Sequence, residues 1–178
     1  EVLAHLPDHV DSPLPRLPTS DPADRDDPGL RAALPATTSE SYDVRDLLAM
    51  VVDEGALCEV RGEWAANLVT AFATFDGRPV GVVANQPQSL AGTLDIAASQ
   101  KGARFVTTCD AFGLPLVTFV DTPGFYPGKD QEWRGMIRHG AQLAFAYSRA
   151  SVPRISVTLR KSYGGAYIVM DSRWLGCD

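Results

Sequence analysis

Arg160-Lys161-Ser162-Tyr163-Gly164-Gly165-Ala166-Tyr167-Ile168-Val169-Met170 decides the reading of this chain. Before it runs Ile155-Ser156-Val157-Thr158-Leu159, apolar and β-branched, which predicts a buried strand. After the two glycines comes an apolar segment able to start a helix. Strand, tight turn and helix start together aim several backbone N–H groups at one point. The first N–H groups of a helix lack intrahelical acceptors and carry a partial positive charge. Such a turn is an anion cradle, and in an enzyme it can serve as an oxyanion hole. The same glycine pair would also let a helix pack closely on a strand, and these eleven residues leave both readings open.

The segments before this stretch predict alternating elements. Leu116-Val117-Thr118-Phe119-Val120 reads as a buried strand, followed by a loop from Asp121. Ile137, Ala141, Ala144, Phe145 and Ser148 recur at helical spacing and predict the lining of one helix face, with Pro153 as the breaker. Earlier, Asp95, Ala98, Gly102, Phe105, Cys109 and Phe112 mark a helix that stops at Gly113. Helix, strand, helix, strand, helix implies parallel strands joined by crossovers. Leu57–Val60 and Asn67–Phe75 predict strands, and Asp76-Gly77 predicts a tight turn into Val80–Ala84. Val44, Leu47, Leu48, Val51 and Val52 predict a helix capped by Ser41 or Asp43.

Residues 1–41 differ in kind. They hold seven of the thirteen prolines and the acidic run Asp21-Pro22-Ala23-Asp24-Arg25-Asp26-Asp27-Pro28, which reads as an extended linker. Val2, Leu3 and Leu6 suggest the end of a helix that begins outside the chain. The expected organisation is a linker over 1–41 and a domain over 42–178.

Composition narrows the function. A hydrophobic content of 45% with 21% charged residues describes a globular protein. A net charge of −6 argues against nucleic-acid binding, and no apolar run is long enough for a membrane span or resembles a signal peptide. Three scattered cysteines, Cys58, Cys109 and Cys177, give no zinc spacing and no disulfide framework, so a cytoplasmic compartment and no metal are expected. Arg134, Arg138, Arg149, Arg154, Arg160 and Lys161 cluster late and would suit a local anionic ligand.

Asp121-Thr122-Pro123-Gly124 is similar to a GTPase metal-side turn, but the phosphate loop that reading requires is missing. His5, His9 and His139 form no catalytic set, and Ser162 lacks the nucleophile elbow. Between Arg160 and Asp178 there is no Glu. Chemistry at the glycine turn therefore rests on backbone donors.

Several blocks occur in order: Lys101-Gly102-Ala103-Arg104-Phe105-Val106, Cys109-Asp110-Ala111-Phe112, Phe119-Val120-Asp121-Thr122-Pro123-Gly124-Phe125, Ile137-Arg138-His139-Gly140-Ala141 and Arg160 to Tyr167. Together they resemble the carboxyltransferase (β) subunits of biotin-dependent acyl-CoA carboxylases, of the propionyl- and acetyl-CoA type. The resemblance implies an α/β, crotonase-like (ClpP/crotonase) ββα superhelix, here an incomplete C-terminal domain. It implies carboxyl transfer from carboxybiotin on a partner carrier to the α-carbon of an acyl-CoA. Biotin would be the cofactor, and a biotin carboxylase with its carrier subunit and an N-terminal carboxyltransferase domain the partners, in a homo-oligomer.

Two oxyanions then need stabilising, the biotin ureido oxygen and the thioester enolate. The resemblance gives Gly165 and Ala166 the catalytic backbone N–H groups for biotin, with Gly164 and Tyr167 also at the cofactor. Ile168 and Phe125 fall to the acyl substrate. Ile168 stands where related hydratases place a catalytic Glu, and it cannot move a proton. A decarboxylase or transcarboxylase of the same fold, and a non-catalytic assembly module, remain as alternatives.

Overall fold

The computed structural model describes residues 1–9 and 11–178, so Val10 within the expected linker lies outside the described residues. In chain order the elements are α1 (Leu30–Ala33), α2 (Val44–Val51), β1 (Cys58–Glu59), β2 (Leu68–Phe75) and β3 (Arg78–Asn85). Then come α3 (Ile96–Ala111), β4 (Leu116–Thr122), α4 (Lys129–Trp133), α5 (Met136–Arg149), β5 (Arg154–Ser162) and α6 (Gly164–Val169).

The five strands form one sheet in the order β1-β2-β3-β4-β5. The first three pair antiparallel, while β3–β4 and β4–β5 are parallel, as alternation of helix and strand requires. Asp76 and Gly77 both take positive φ (51° and 70°), which matches a two-residue hairpin turn to the strand twist. Asp43 caps α2 by accepting from the Arg45 N–H at 2.9 Å, a contact worth about 1 kcal/mol. Asp95 caps α3 in the same way through Ala98.

Each face of the sheet carries its own core. On one side α3, α5 and α6 bury Phe105, Val106, Cys109, Leu143, Tyr147, Ala166 and Met170 against Leu68, Phe72, Val83, Leu116 and Val120. On the other, Tyr42 and α2 cover Val69, Val80, Val82 and Phe119. Burial pushes the Cys109 thiol up to about 12, so it behaves as a small apolar group. Among the described residues before Tyr42 none is fully buried. Val2–His5 form a single 3-10 turn.

Two readings need qualifying. Ile137, Ala141, Ala144, Phe145 and Ser148 do lie on one helix, α5, but theirs is not the core face: Ile137 and Phe145 are exposed, and Met136, Gly140, Leu143 and Tyr147 are buried instead. Alanine, serine and glycine positions make both stripes of this helix look alike in hydropathy, so periodicity alone could not select between them. The expected buried strand 155–159 is also not buried. It forms β5 at the sheet edge, with Ile155 and Val157 exposed. At eight residues α2 is only about 12 Å long and shelters the centre of its face, leaving that side of β5 uncovered. Smaller departures follow the same limits of pattern. β1 shortens to two residues, and α4 was not anticipated at all.

Candidate active site

The parallel strands end together, and β4 and β5 end out of step. Val120 pairs with Thr158, yet Thr122 pairs with Ser162, so Asp121 alone faces the three residues Leu159, Arg160 and Lys161. A regular ladder cannot serve the longer side of such a bulge. The Asp121 carboxylate takes its place. Its Oδ1 accepts the Lys161 N–H at 3.1 Å, and its Oδ2 accepts Arg160 Nε and the Tyr42 hydroxyl, both at 2.8 Å. The Asp121 N–H in turn donates to Asn85 Oδ1 at 3.1 Å. The Arg160 guanidinium lies 4.6 Å over the Tyr42 ring and donates to the carbonyls of Thr37 and Glu40, each at 3.0 Å. Burial and the neighbouring Asp121 hold the Tyr42 hydroxyl well above its ordinary range.

Beyond the bulge the Tyr163 N–H donates to Thr122 O at 3.2 Å and closes the ladder. Gly164 then turns the chain with φ +60°, a left-handed conformation that glycine takes without strain. A Cβ there would meet nothing within 4 Å, so the outer side of the turn is open. Helix α6 starts here, and the N–H groups of Gly164, Gly165 and Ala166 precede any intrahelical acceptor. Tyr167 N–H is the first to turn inward, donating to Tyr163 O at 3.4 Å. The expected strand, glycine turn and helix start are thus in place.

The structure brings the predicted residues together unequally. Gly164 and Gly165 are exposed, Ala166 is buried in the core, and the half-buried Tyr167 packs against that core. Ile168 points outward and is 45% exposed. Phe125 sits differently from a residue lining open space. Its ring lies between two glycines: a Cβ on Gly165 would come within 3.2 Å of it, and one on Gly140 within 2.8 Å. Phe125 therefore spaces α5 from α6 beside the turn.

The late cluster of basic residues does not converge on a ligand. Arg160 is consumed by Asp121, and Arg154 is buried in an ion pair with Asp171. Arg134, Arg138 and Arg149 are exposed on or beside α5. His139 lies 3.2 Å from both Gln100 and Gln142, away from any nucleophile. A surface groove of about 1070 Å³ between α3 and α5 contains none of the turn residues, and its Asp110 is already engaged by Ser151. The candidate site is therefore the turn.

Sequence reasoning missed Asp121, Tyr42 and Asn85 as supports of this site. Asp121 carried a signal, since it closes an apolar strand just before a Pro-Gly turn, but that signal suggested nucleotides. Tyr42 carried none: it lies 79 residues from its partner.

This arrangement is a crotonase-like α/β fold with backbone donors at the carboxyl end of its parallel strands. The sequence profile of the family described as "Carboxyl transferase domain" matches residues 1–178, and the chain belongs to that family. Methylmalonyl-CoA decarboxylase subunit alpha of Veillonella parvula is 49% identical over 177 residues, covering 99% of this chain and 35% of the relative. The propionyl-CoA carboxylase carboxyltransferase subunit of Haloferax mediterranei is 49% identical over 178 residues, covering 99% of this chain and 34% of the relative. A solved structure of transcarboxylase 12S, a hexamer assembly with methylmalonyl-coenzyme A and methylmalonic acid bound, superposes with a TM-score of 0.97 at 48% identity. That match covers 99% of this chain and 34% of the other. The chain thus spans about a third of the length of these relatives.

Proposed function

We propose that this chain is the biotin-side half of a carboxyltransferase site, within a subunit that moves a carboxyl group between carboxybiotin and the α-carbon of a short acyl-CoA. The observation that carries this reading is the β5–α6 turn, exposed and rich in free backbone donors, in a chain of the carboxyl transferase family. The turn fits the ureido group. Gly164 leaves its outer side open, and the N–H groups of Gly165 and Ala166 suit an oxygen that gains charge. When bound, carboxybiotin supplies the carboxyl group to be transferred.

The chain's own residues hold and shape. Gly165 and Ala166 stabilise negative charge, Tyr167 fixes the turn through its inward N–H, and Ile168 presents an apolar surface to the acyl group. Phe125 acts beside them as a spacer. α6 carries no carboxylate: Ile168 has no proton to give, and after Arg160 the only carboxylate side chains are Asp171, which is buried, and Asp178. The second oxyanion and most of the CoA fall to an N-terminal carboxyltransferase domain. A biotin carboxylase with its carrier is the partner, in a homo-oligomer. We assign 1–41 as the linker and 42–178 as the domain, since among the described residues burial begins at Tyr42. Free thiols at Cys58, Cys109 and Cys177 fit a cytoplasmic setting.

The test is the full-length subunit with a biotinylated carrier that a biotin carboxylase has charged to carboxybiotin from bicarbonate and ATP, and acetyl- or propionyl-CoA as acceptor. Malonyl- or methylmalonyl-CoA should form, and Gly165→Val should lower kcat/KM by roughly 10²–10³-fold with the fold intact by circular dichroism. No transfer in either direction, or a fully active Gly165→Val, overturns the proposal. The equal identity to a decarboxylase subunit favours a second reading, in which the same site removes the carboxyl group from methylmalonyl-CoA. Loss of methylmalonyl-CoA with CO₂ release and no ATP-driven formation would select it.

A further inference from the structure

We propose that Asp121 is a positioning residue for the glycine turn: its carboxylate replaces the missing strand ladder at the β4–β5 bulge and so sets where the donors of Gly165 and Ala166 stand. The proposal rests on the carboxyl-transfer reading of that turn. Its basis is a mismatch in strand length. One β4 residue opposes three of β5, so at least one β5 backbone donor has no carbonyl at the right height. Lys161 N–H finds the Asp121 side chain instead. Only Ser162 and Tyr163 then separate this bond from Gly164. A shift of the Lys161 amide therefore reaches the turn with little chain in which to relax.

The carboxylate is also the meeting point of three segments. Tyr42 brings the start of the domain, Arg160 brings β5, and the Arg160 guanidinium reaches on to Thr37 and Glu40. Arg160 and Asp121 are both almost fully buried, so neither can exchange its partner for water. Charge is what the site needs. An Asn at 121 could still accept the Lys161 N–H through its amide oxygen, but it would hold Arg160 less firmly and offer an N–H₂ where an acceptor is required. Asn is therefore the informative variant, because it retains size and one hydrogen bond.

The experiment uses the full-length subunit and carboxylation of free biotin from malonyl- or methylmalonyl-CoA. Asp121→Asn should raise KM for biotin about tenfold while KM for the acyl-CoA stays within twofold. Leu48→Ala, in the core on the α2 side, serves as a control for lost stability alone, and it should leave the biotin KM unchanged at equal loss of Tm. Amide hydrogen exchange is read alongside. In Asp121→Asn the Tyr163–Val169 segment should exchange faster than in the wild type, with β2 unaffected. Equal biotin KM shifts in Asp121→Asn and Leu48→Ala overturn the proposal, as does unchanged exchange at Tyr163–Val169. A wild-type subunit that carboxylates nothing overturns the carboxyl-transfer reading instead, and the exchange comparison then decides the positioning role.

Discussion

Strand β5 carries a buried arginine at each end, and the two are held in different ways. Arg160 meets Asp121, whose two oxygens also receive the Lys161 N–H and the Tyr42 hydroxyl. Arg154 meets Asp171, whose Oδ1 takes the guanidinium while its Oδ2 is buried without any partner, as is the neighbouring Ser172 hydroxyl. Burial outweighs the pull of Arg154 and pushes the Asp171 carboxyl up to about 6. The lesson lies in saturation: a buried ion pair is only as good as the hydrogen bonds that complete it. At the glycine turn both carboxylate oxygens are satisfied, and the buried atom left over is a donor, Arg160 Nη2. At the far end the atom left over is a carboxylate oxygen.

The largest break of this contrast is Asp121→Ala. Removing that carboxylate strands a guanidinium, a backbone N–H and a hydroxyl at once, and should cost about 3–5 kcal/mol, read from urea unfolding of the full-length subunit. Next in size is the pH response of the other pair. With its folded value raised above the usual 3.8, Asp171 binds a proton more readily folded than unfolded. Its contribution to stability is therefore complete below about pH 4 and lost as pH rises through 6, on the order of 3 kcal/mol in all. Asp171→Asn should remove that slope, seen as a flatter difference in Tm between pH 4 and 6.5 against wild type. An unchanged profile would mean Asp171 is ionised as readily folded as unfolded. The smallest effect sharpens the first: Tyr42→Phe takes away one of the three donors to Asp121 and should cost about 1 kcal/mol in the same unfolding measurement.

Local chemistry was legible in the sequence; partnership over distance was not. The Asp76-Gly77 hairpin and the α2 cap, which fell to Asp43 of the two candidates Ser41 and Asp43, declare themselves because the residue that enforces each conformation sits within it. The glycine turn was readable for the same reason, with Gly164 at the one left-handed position of the stretch. Ile137 and Phe145 misled because a hydrophobic stripe says which side chains are apolar and not what lies opposite them. Ile155 and Val157 read as core by composition, but their exposure depends on how far α2 reaches across the sheet. Arg160 looked like a free cation because its counter-ion lies 39 residues earlier, in a motif that pointed to nucleotides.

The Phe125 ring between Gly140 and Gly165 has a consequence for how the chain can change over generations. The two glycines stand 25 residues apart, yet they share one spacer. A methyl group at Gly140 would come within 2.8 Å of the ring and force it to move, one at Gly165 within 3.2 Å would ask it to give by a few tenths of an ångström, and a smaller residue at 125 would release both. These three sites form one epistatic unit, and variation in α5 is thereby tied to the geometry of the turn that opens α6.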